Sequence, residues 1–276
     1  MRQELPNDLM FMRHGQSVPN LAIQLAKQGD YELIESKAYR ETPSRDFRLT
    51  EVGVEQCRLI GGVIAPEIQE RTTAQRTLFL TSPYIRSVES AYHLNFEGVD
   101  WVEKNVLRER DWGDIESLSP REHEERYPEN FMKMKNDPFF WRPPGGESLA
   151  QITDVRIQKL LDFLFDQTAD FVFMAGHGEF IDGVRYVFES KTHDEWLQNK
   201  QSNKAASKIE NGQILHYSRL SPIDKARSRN YSWVRHMTPG DKAFSEWREI
   251  DSDDKVMTRD DMKRQIHQAP IINTRL

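Results

Sequence analysis

The 276-residue chain has a single cysteine, Cys57. One thiol excludes an internal disulfide and any metal site built on several thiolates. No apolar run approaches the roughly 18 residues that a bilayer-spanning helix needs. The polar opening Met1 to Asn7 leads into no signal-like apolar stretch, so the expected location is the cytoplasm. Positive charge is not in excess either: 38 Lys+Arg stand against 44 Asp+Glu, a formal net charge of −6. That balance lacks the basic face that a general nucleic-acid binder wants. A P-loop is missing, and so is any cluster of carboxylates or Cys/His at ligand spacing, any internal repeat and any low-complexity tract.

What is present points to a folded core. Hydrophobic residues make up 37% of the chain, with 14 Phe, 8 Tyr and 6 Trp, far too many for a disordered protein. Charged residues reach 30% and the mean hydropathy is −0.74. The length allows one large α/β domain or two small ones.

The apolar runs are short and end in small or polar residues. Leu9-Met10-Phe11-Met12 runs into Arg13-His14-Gly15, Leu78-Phe79-Leu80 into Thr81-Ser82-Pro83, and Phe171 to Ala175 into Gly176-His177-Gly178. Each reads as a buried parallel strand running into a loop. Trp101-Val102 and Val106-Leu107 suggest a third strand region in the order of the chain. Gln213 to Tyr217 and Tyr231 to Val234 suggest two later strands joined as a hairpin with a long loop. Between the strands, helical spacing marks Leu21 to Ala26, Val54 to Ile64 (with Val54, Cys57, Leu59 and Ile60 on one face), Arg86 to Leu94, Glu147 to Phe165 and Phe180 to Phe188. Leu149, Ile152, Val155, Ile157, Leu160, Leu161 and Leu164 form a wide apolar stripe in the fourth of these. The charged, aromatic, proline-bearing stretch from Glu116 to Pro144 reads as an inserted lid. Past Pro239 the chain turns charged and loses its apolar periodicity, which suggests a peripheral extension.

Alternation of strands and helices predicts an α/β three-layer sandwich: a mainly parallel central sheet with helices on both faces, plus the lid and the C-terminal extension. The expected division is a domain over 1–220 and an extension over 221–276, partly packed on it. In such sheets ligands bind beyond the carboxyl ends of the strands. Arg13-His14, Ser82 to Arg86, and His177 all follow apolar runs, so they are expected to meet at one edge.

Their chemistry suits a phosphoryl group. An imidazole beside an arginine is a candidate nucleophile, and a guanidinium offers paired donors matched to phosphate oxygens. Gly15 lets the backbone pass close to a bound anion. Arg86 sits early in a helix, where free N–H groups favour anions. Glu109, within Leu107 to Gly113, offers a carboxylic acid in a loop. Taken singly each piece is ordinary: Arg-His-Gly more often marks a structural histidine, and a lone glutamate is nearly always a solvated charge.

Taken together the pieces resemble the histidine phosphatase superfamily, which includes the cofactor-dependent phosphoglycerate mutases. The resemblance covers roughly residues 8–218. It is carried in order by Phe11-Met12-Arg13-His14-Gly15-Gln16-Ser17 with Asn20, Leu49-Thr50-Glu51-Val52-Gly53, and Ser82-Pro83-Tyr84-Ile85-Arg86-Ser87. Leu107-Arg108-Glu109-Arg110-Asp111-Trp112-Gly113, Pro144-Gly145-Gly146-Glu147-Ser148 and Gly176-His177-Gly178 complete it. Six spaced motifs in the right order multiply their separate improbabilities. The resemblance implies that His14 becomes phosphorylated. Arg13, Arg86 and His177 would hold the phosphoryl oxygens, with Asn20 donating one more hydrogen bond. Glu109 would protonate the leaving oxygen and then activate water, with no metal or other cofactor required.

Within that family the chain reads as a phosphatase acting on a phosphorylated small molecule. Mutases resemble one another in an adjacent Arg-Arg pair after the catalytic glutamate, and none lies between Glu109 and Pro144. The alternatives are a mutase and an inactive scaffold of the same fold. A nucleotide- or polyanion-binding module is disfavoured by the missing P-loop and basic face. Arg121, Arg126 and Lys133 in the lid are candidate substrate contacts. His93, His123, His193, His216, His236 and His267 fall in no motif and read as surface or structural, and Trp196, Trp233 and Trp247 as packing residues. No nucleic acid or membrane partner is expected, and a homodimer is left open.

Overall fold

In the computed structural model, which describes residues 4–189, 192–201 and 208–250, β1 (Asp8–Arg13) runs through a seven-stranded sheet. It pairs in parallel with β4 (Phe171–Gly176), which pairs with β2 (Thr77–Thr81), which pairs with β3 (Trp101–Glu103). On its other side β1 meets β5 (Ile214–Ser218) antiparallel. β6 (Trp233–Met237) and the short β7 (Arg248–Glu249) continue in the same antiparallel sense. The sheet order is β3-β2-β4-β1-β5-β6-β7. The sheet is therefore mixed, with a four-stranded parallel part and an antiparallel wing. β5 and β6 form the antiparallel pair that the sequence suggested.

Both faces are covered, and this explains why the central strands are apolar throughout rather than alternating. Leu9, Phe11, Leu80, Val172, Met174, Leu215 and Tyr217 point into one core. There they meet a helical run over 149–165 and the helix Gly178–Phe188. Met10, Met12, Phe79, Phe171, Phe173 and Ile214 point into the other, under the helices Glu51–Ala74 and Ile85–Leu94. Successive strand residues serve opposite cores, as the period of two requires.

Local chemistry starts the helices where the motifs stand. Ser17 and Asn20 form a capping box on the helix Val18–Lys27, Thr50 accepts from the backbone N–H of Gly53, and Ser148 with Gln151 caps the run over 149–165. Gly53 is required by contact: a Cβ there would lie 2.0 Å from the carbonyl oxygen of Gln16. The helix start thus sits directly against the loop that follows β1.

Several elements depart from the sequence reading. The helix read over Val54 to Ile64 continues through Pro66 to Ala74. Pro66 removes one helical hydrogen bond, but Ile64 and Ile68 on either side are buried against the sheet, and their packing outweighs that loss. Leu59 and Val155 face solvent, because helical spacing alone does not separate an inner stripe from its flank. Val106-Leu107 belongs to a 3-10 turn, Asn105–Leu107, that drives Leu107 into the core. The run over 149–165 includes a π-helical segment, Ile152–Ile157. The stretch from Glu116 to Pro144, read from the sequence as a lid, contains the helices Pro120–Arg126 and Pro128–Asn136. Beyond Pro239 the chain is less peripheral than its composition suggested, since β7 extends the sheet and Ile250 is buried in the core. The remainder of the extension, 251–276, with His267, lies outside the described residues. Among the described residues no helix is long and apolar enough to cross a membrane.

Candidate active site

His14 emerges from β1 and its backbone N–H donates to Gly176 of β4 (2.9 Å). Its ring is buried, with Nδ1 2.7 Å from the carbonyl oxygen of Gly15. A carbonyl only accepts, so Nδ1 carries the hydrogen and Nε2 keeps its lone pair. Burial first, and then Arg86 and Arg13, hold the pKa well below the ordinary histidine value. The imidazole is neutral at physiological pH, the form that can act as a nucleophile. The Gly15 turn is fixed by Ser90 Oγ, which accepts from its N–H (3.1 Å). Asn211 Nδ2 braces the same turn, donating to the carbonyls of His14 (3.2 Å) and Gly15 (3.3 Å).

Two cations and a second histidine surround that lone pair. Arg86, buried in the first turn of its helix, places Nε 3.3 Å from His14 Nε2 and donates through a terminal nitrogen to the carbonyl of Ser44 (2.6 Å). Arg13 donates to the carbonyl of Ile209 (2.6 Å), while its Nε is buried without a hydrogen-bond partner. A Cβ on Gly178 would come within 3.2 Å of that Nε, so a glycine there leaves the guanidinium its room. His177 lies wholly buried at the N-terminus of the helix Gly178–Phe188. Its ring centroid is 5.1 Å from that of His14. Nε2 is 2.8 Å from Ser82 Oγ, and Nδ1 has no hydrogen-bond partner. Two buried nitrogens without partners, Arg13 Nε and His177 Nδ1, beside the unprotonated His14 Nε2 and the Arg86 guanidinium make a receptor for an anion with several oxygens.

Glu109 closes the group. One carboxylate oxygen accepts from the Arg110 N–H (2.9 Å) and the other is 3.7 Å from His177 Nδ1. Burial raises its pKa above the ordinary value, against the pull of Arg86. A carboxyl tuned upward suits an acid that donates and then recovers a proton.

Its loop is held from behind by the Pro144 to Ser148 segment. Glu147 takes a forked pair from Arg108 (2.6 and 2.7 Å), a bond from Arg156 (3.1 Å) and the Asp111 N–H (3.2 Å). Arg156 also donates to the carbonyls of Val106 and Arg108. At Gly113 the backbone is left-handed, φ +53°, and a Cβ would lie 2.0 Å from the Pro144 carbonyl oxygen. These glycines let two loops run backbone to backbone.

Ligand atoms of His14, Glu109 and His177 lie within 4.8 Å of one another, close enough on distance alone to take a metal ion. Arg13 and Arg86 stand beside the same three groups. A cation placed there would face two guanidinium charges at close range, whereas an anion is attracted by both.

The structure brings His14, Arg13, Arg86, Glu109 and His177 to one edge from four separate stretches of sequence. Asn20 stands beside them with Oδ1 committed: it accepts from the Ser17 N–H (3.1 Å), Ser17 Oγ (3.0 Å) and Asn211 Nδ2 (2.8 Å). Arg121 and Arg126 are paired with Glu35 and Glu122, and Lys133 is exposed. Sequence reading did not single out Ser82, Glu147, Arg156 or Asn211 as supports. Ser82 and Glu147 lie inside quoted motifs, whereas nothing near Asn211 marks it.

Comparison with known proteins agrees with this geometry. Residues 9–213 match the family model of the histidine phosphatase superfamily (branch 1). The 2,3-bisphosphoglycerate-dependent phosphoglycerate mutase of Azorhizobium caulinodans is 25% identical over 193 residues, 66% of this chain and 81% of its own. A phosphoglycerate mutase-like protein of Arabidopsis thaliana is 27% identical over 177 residues, 59% of this chain and 55% of its own. Among solved structures, a putative alpha-ribazole-5'-P phosphatase from Escherichia coli K-12 superposes with TM-score 0.61 at 15% identity, covering 86% of this chain and 98% of that one. A mycobacterial glucosyl-3-phosphoglycerate phosphatase gives TM-score 0.55 at 20% identity, covering 77% and 90%. At those identities the two structures speak for the fold. The sequence match, spanning every strand end that supplies the site, makes this chain a member of the histidine phosphatase superfamily.

Proposed function

We propose that the protein hydrolyses a phosphomonoester of a small molecule in two steps, with His14 carrying the phosphoryl group between them. The observation that carries this reading is the state of His14: Nδ1 donates to Gly15, Nε2 is left unprotonated, and Arg86 stands 3.3 Å away. In the first step the Nε2 lone pair attacks phosphorus. The ester P–O bond breaks, and the leaving oxygen takes the proton of Glu109. In the second, water attacks the phosphohistidine, Glu109 takes a proton from it, and orthophosphate leaves with neutral His14 restored. Arg13, Arg86 and His177 offset the charge on the phosphoryl oxygens throughout, with Asn20 donating through the amide nitrogen that its committed oxygen leaves available. The charge work falls to the guanidinium groups, so the reaction needs no metal.

Hydrolysis is favoured over mutase chemistry by the state of the surrounding arginines. A mutase must hold a doubly phosphorylated intermediate, which calls for further cations beyond those around the transferred group. Arg40 and Arg126 are paired with Glu122, Arg121 with Glu35, Arg108 and Arg156 with Glu147, and Arg110 with Glu179, all within 3.3 Å. These six arginines are engaged by four carboxylates, Glu122 and Glu147 each taking two of them. The purified protein should release orthophosphate from members of a phosphomonoester panel and fail to interconvert 2- and 3-phosphoglycerate with 2,3-bisphosphoglycerate present. Interconversion that depends on the bisphosphate would establish the mutase instead. Inertness in both assays would establish a scaffold.

A further inference from the structure

The hydroxyl of Ser82 has one place to put its hydrogen. Ser82 is wholly buried at the end of β2. Its Oγ accepts from the backbone N–H of Tyr84 (3.3 Å), so that lone pair is engaged. The other contact of Oγ is His177 Nε2, at 2.8 Å. Two arrangements share that distance. If Nε2 carried the hydrogen, Oγ would accept twice and its own O–H would be buried with no acceptor among the described residues. If Ser82 donates, both groups are satisfied. A buried donor left without a partner costs on the order of 1–3 kcal/mol, so the second arrangement prevails.

That choice fixes the other side of the ring. The imidazole of His177 is fully buried and crowded by Arg86, His14, Arg156 and Arg13, and so stays neutral. A neutral ring that accepts at Nε2 carries its one hydrogen on Nδ1. Nδ1 is the buried nitrogen without a partner, 3.7 Å from the Glu109 carboxylate and in the ring that faces His14.

We infer that Ser82 is a positioning residue: it donates to His177 Nε2 and thereby holds His177 in the tautomer whose Nδ1–H faces the phosphoryl group. This rests on the phosphoryl-transfer reading of the site. His177 then acts as a neutral hydrogen-bond donor, and the positive charge comes from Arg13 and Arg86. His14 and His177 carry their hydrogens on the same atom, Nδ1, for opposite purposes. In His14 the Gly15 carbonyl takes that hydrogen so that Nε2 can attack. In His177 the Ser82 hydroxyl fills Nε2 so that Nδ1–H can bind.

The test combines nitrogen-15 NMR of histidine-labelled protein with kinetics of Ser82→Ala and Ser82→Thr. In the unmodified protein, His177 Nδ1 should show the signature of a protonated nitrogen and Nε2 that of a bare acceptor. Ser82→Ala should remove that bias and lower kcat/KM about 10–100-fold, by analogy with partners that orient metal-bound histidines. Inorganic phosphate should bind more weakly to it in proportion. Ser82→Thr, which keeps the hydroxyl, should restore both the tautomer and most of the rate. A bare Nδ1 and protonated Nε2 in the unmodified protein would overturn the inference. So would a Ser82→Ala rate within about threefold of the parent, or a Ser82→Thr variant as slow as Ser82→Ala with the parent tautomer retained. The NMR readout needs no turnover, so an inactive protein with the expected tautomer counts against the proposed function and leaves the assignment of His177 standing.

Discussion

His216 gives a prediction whose size follows from its surroundings. Its ring lies fully buried in β5, with Nε2 3.0 Å from Asp8 and Nδ1 accepting from Arg235 Nε at 3.0 Å. Arg235 reaches on to Glu67 (2.7 Å), and Arg71 joins Asp8 (3.3 Å) to Glu67 (2.9 Å). Burial, reinforced by Arg71 and Arg235 and resisted by Asp8, lowers the His216 pKa from 6.5 to about 4. Between those two values the unfolded chain binds a proton that the folded protein refuses. Stability is therefore full above pH 6.5 and is lost as pH falls toward 4. At 1.36 kcal/mol per pH unit, the loss from this one residue is about 3 kcal/mol. Asp8 acts lower in the scale. Burial alone would raise its pKa, but the hydrogen bond from His216 and the charges of His216 and Arg71 bring it from 3.8 to about 2, so its share is lost only below about pH 4. The assay is urea unfolding of the parent and His216→Asn at half-unit steps from pH 8 to 4. The parent's stability should fall more steeply than the variant's between pH 6.5 and 4, with the gap between the two curves changing by about 3 kcal/mol over that window. His14 and His177 are present in both and cancel. Parallel curves would refute the reasoning.

Glu109→Gln should slow alkyl phosphates by about 10²–10⁴-fold in the first-step burst and p-nitrophenyl phosphate far less, because a stable phenolate departs without a proton; equal losses would show that Glu109 is not the acid. With its pKa raised, Glu109 stays protonated to higher pH than an ordinary glutamate, and the alkyl-phosphate burst rate should fall as pH rises through that raised value. Glu147→Ala should lower stability by about 2–4 kcal/mol and kcat together, since it leaves the buried Arg156 unmatched and loosens the Glu109 loop; urea unfolding and steady-state kinetics check both. Activity should survive EDTA and be blocked by vanadate, and loss of activity restored only by an added divalent metal would contradict the arginine-based mechanism.

The parallel half of the sheet was legible because each strand is a short apolar run cut off by a polar or glycine residue. A strand covered on both faces has no other way to look. The same punctuation exposed His14, Arg86 and His177, which all follow strand ends. The antiparallel wing was harder to read. β5 and β6 look like any hairpin, and only packing shows that β5 pairs with β1 and that residues past Pro239 add β7. His216 read as an ordinary histidine, since its partners Asp8 and Arg235 are remote in sequence and joined only by the sheet register. Leu59 was misplaced on the inner face because helix period gives a direction but not the width of the buried stripe. Glu147 and Asn211 hold the site through contacts across the fold, which no local pattern records.

The most direct test of the account is to trap the phosphoryl group on the enzyme. A hydrolysable phosphomonoester carrying labelled phosphorus should be mixed with the purified protein and quenched with base within the first turnover. The account predicts an acid-labile, base-stable phosphate that peptide mapping places on His14. His14→Ala, still folded, should show neither that label nor turnover above about a thousandth of the parent's rate. Orthophosphate release without any labelled His14, or turnover that survives His14→Ala, would contradict it.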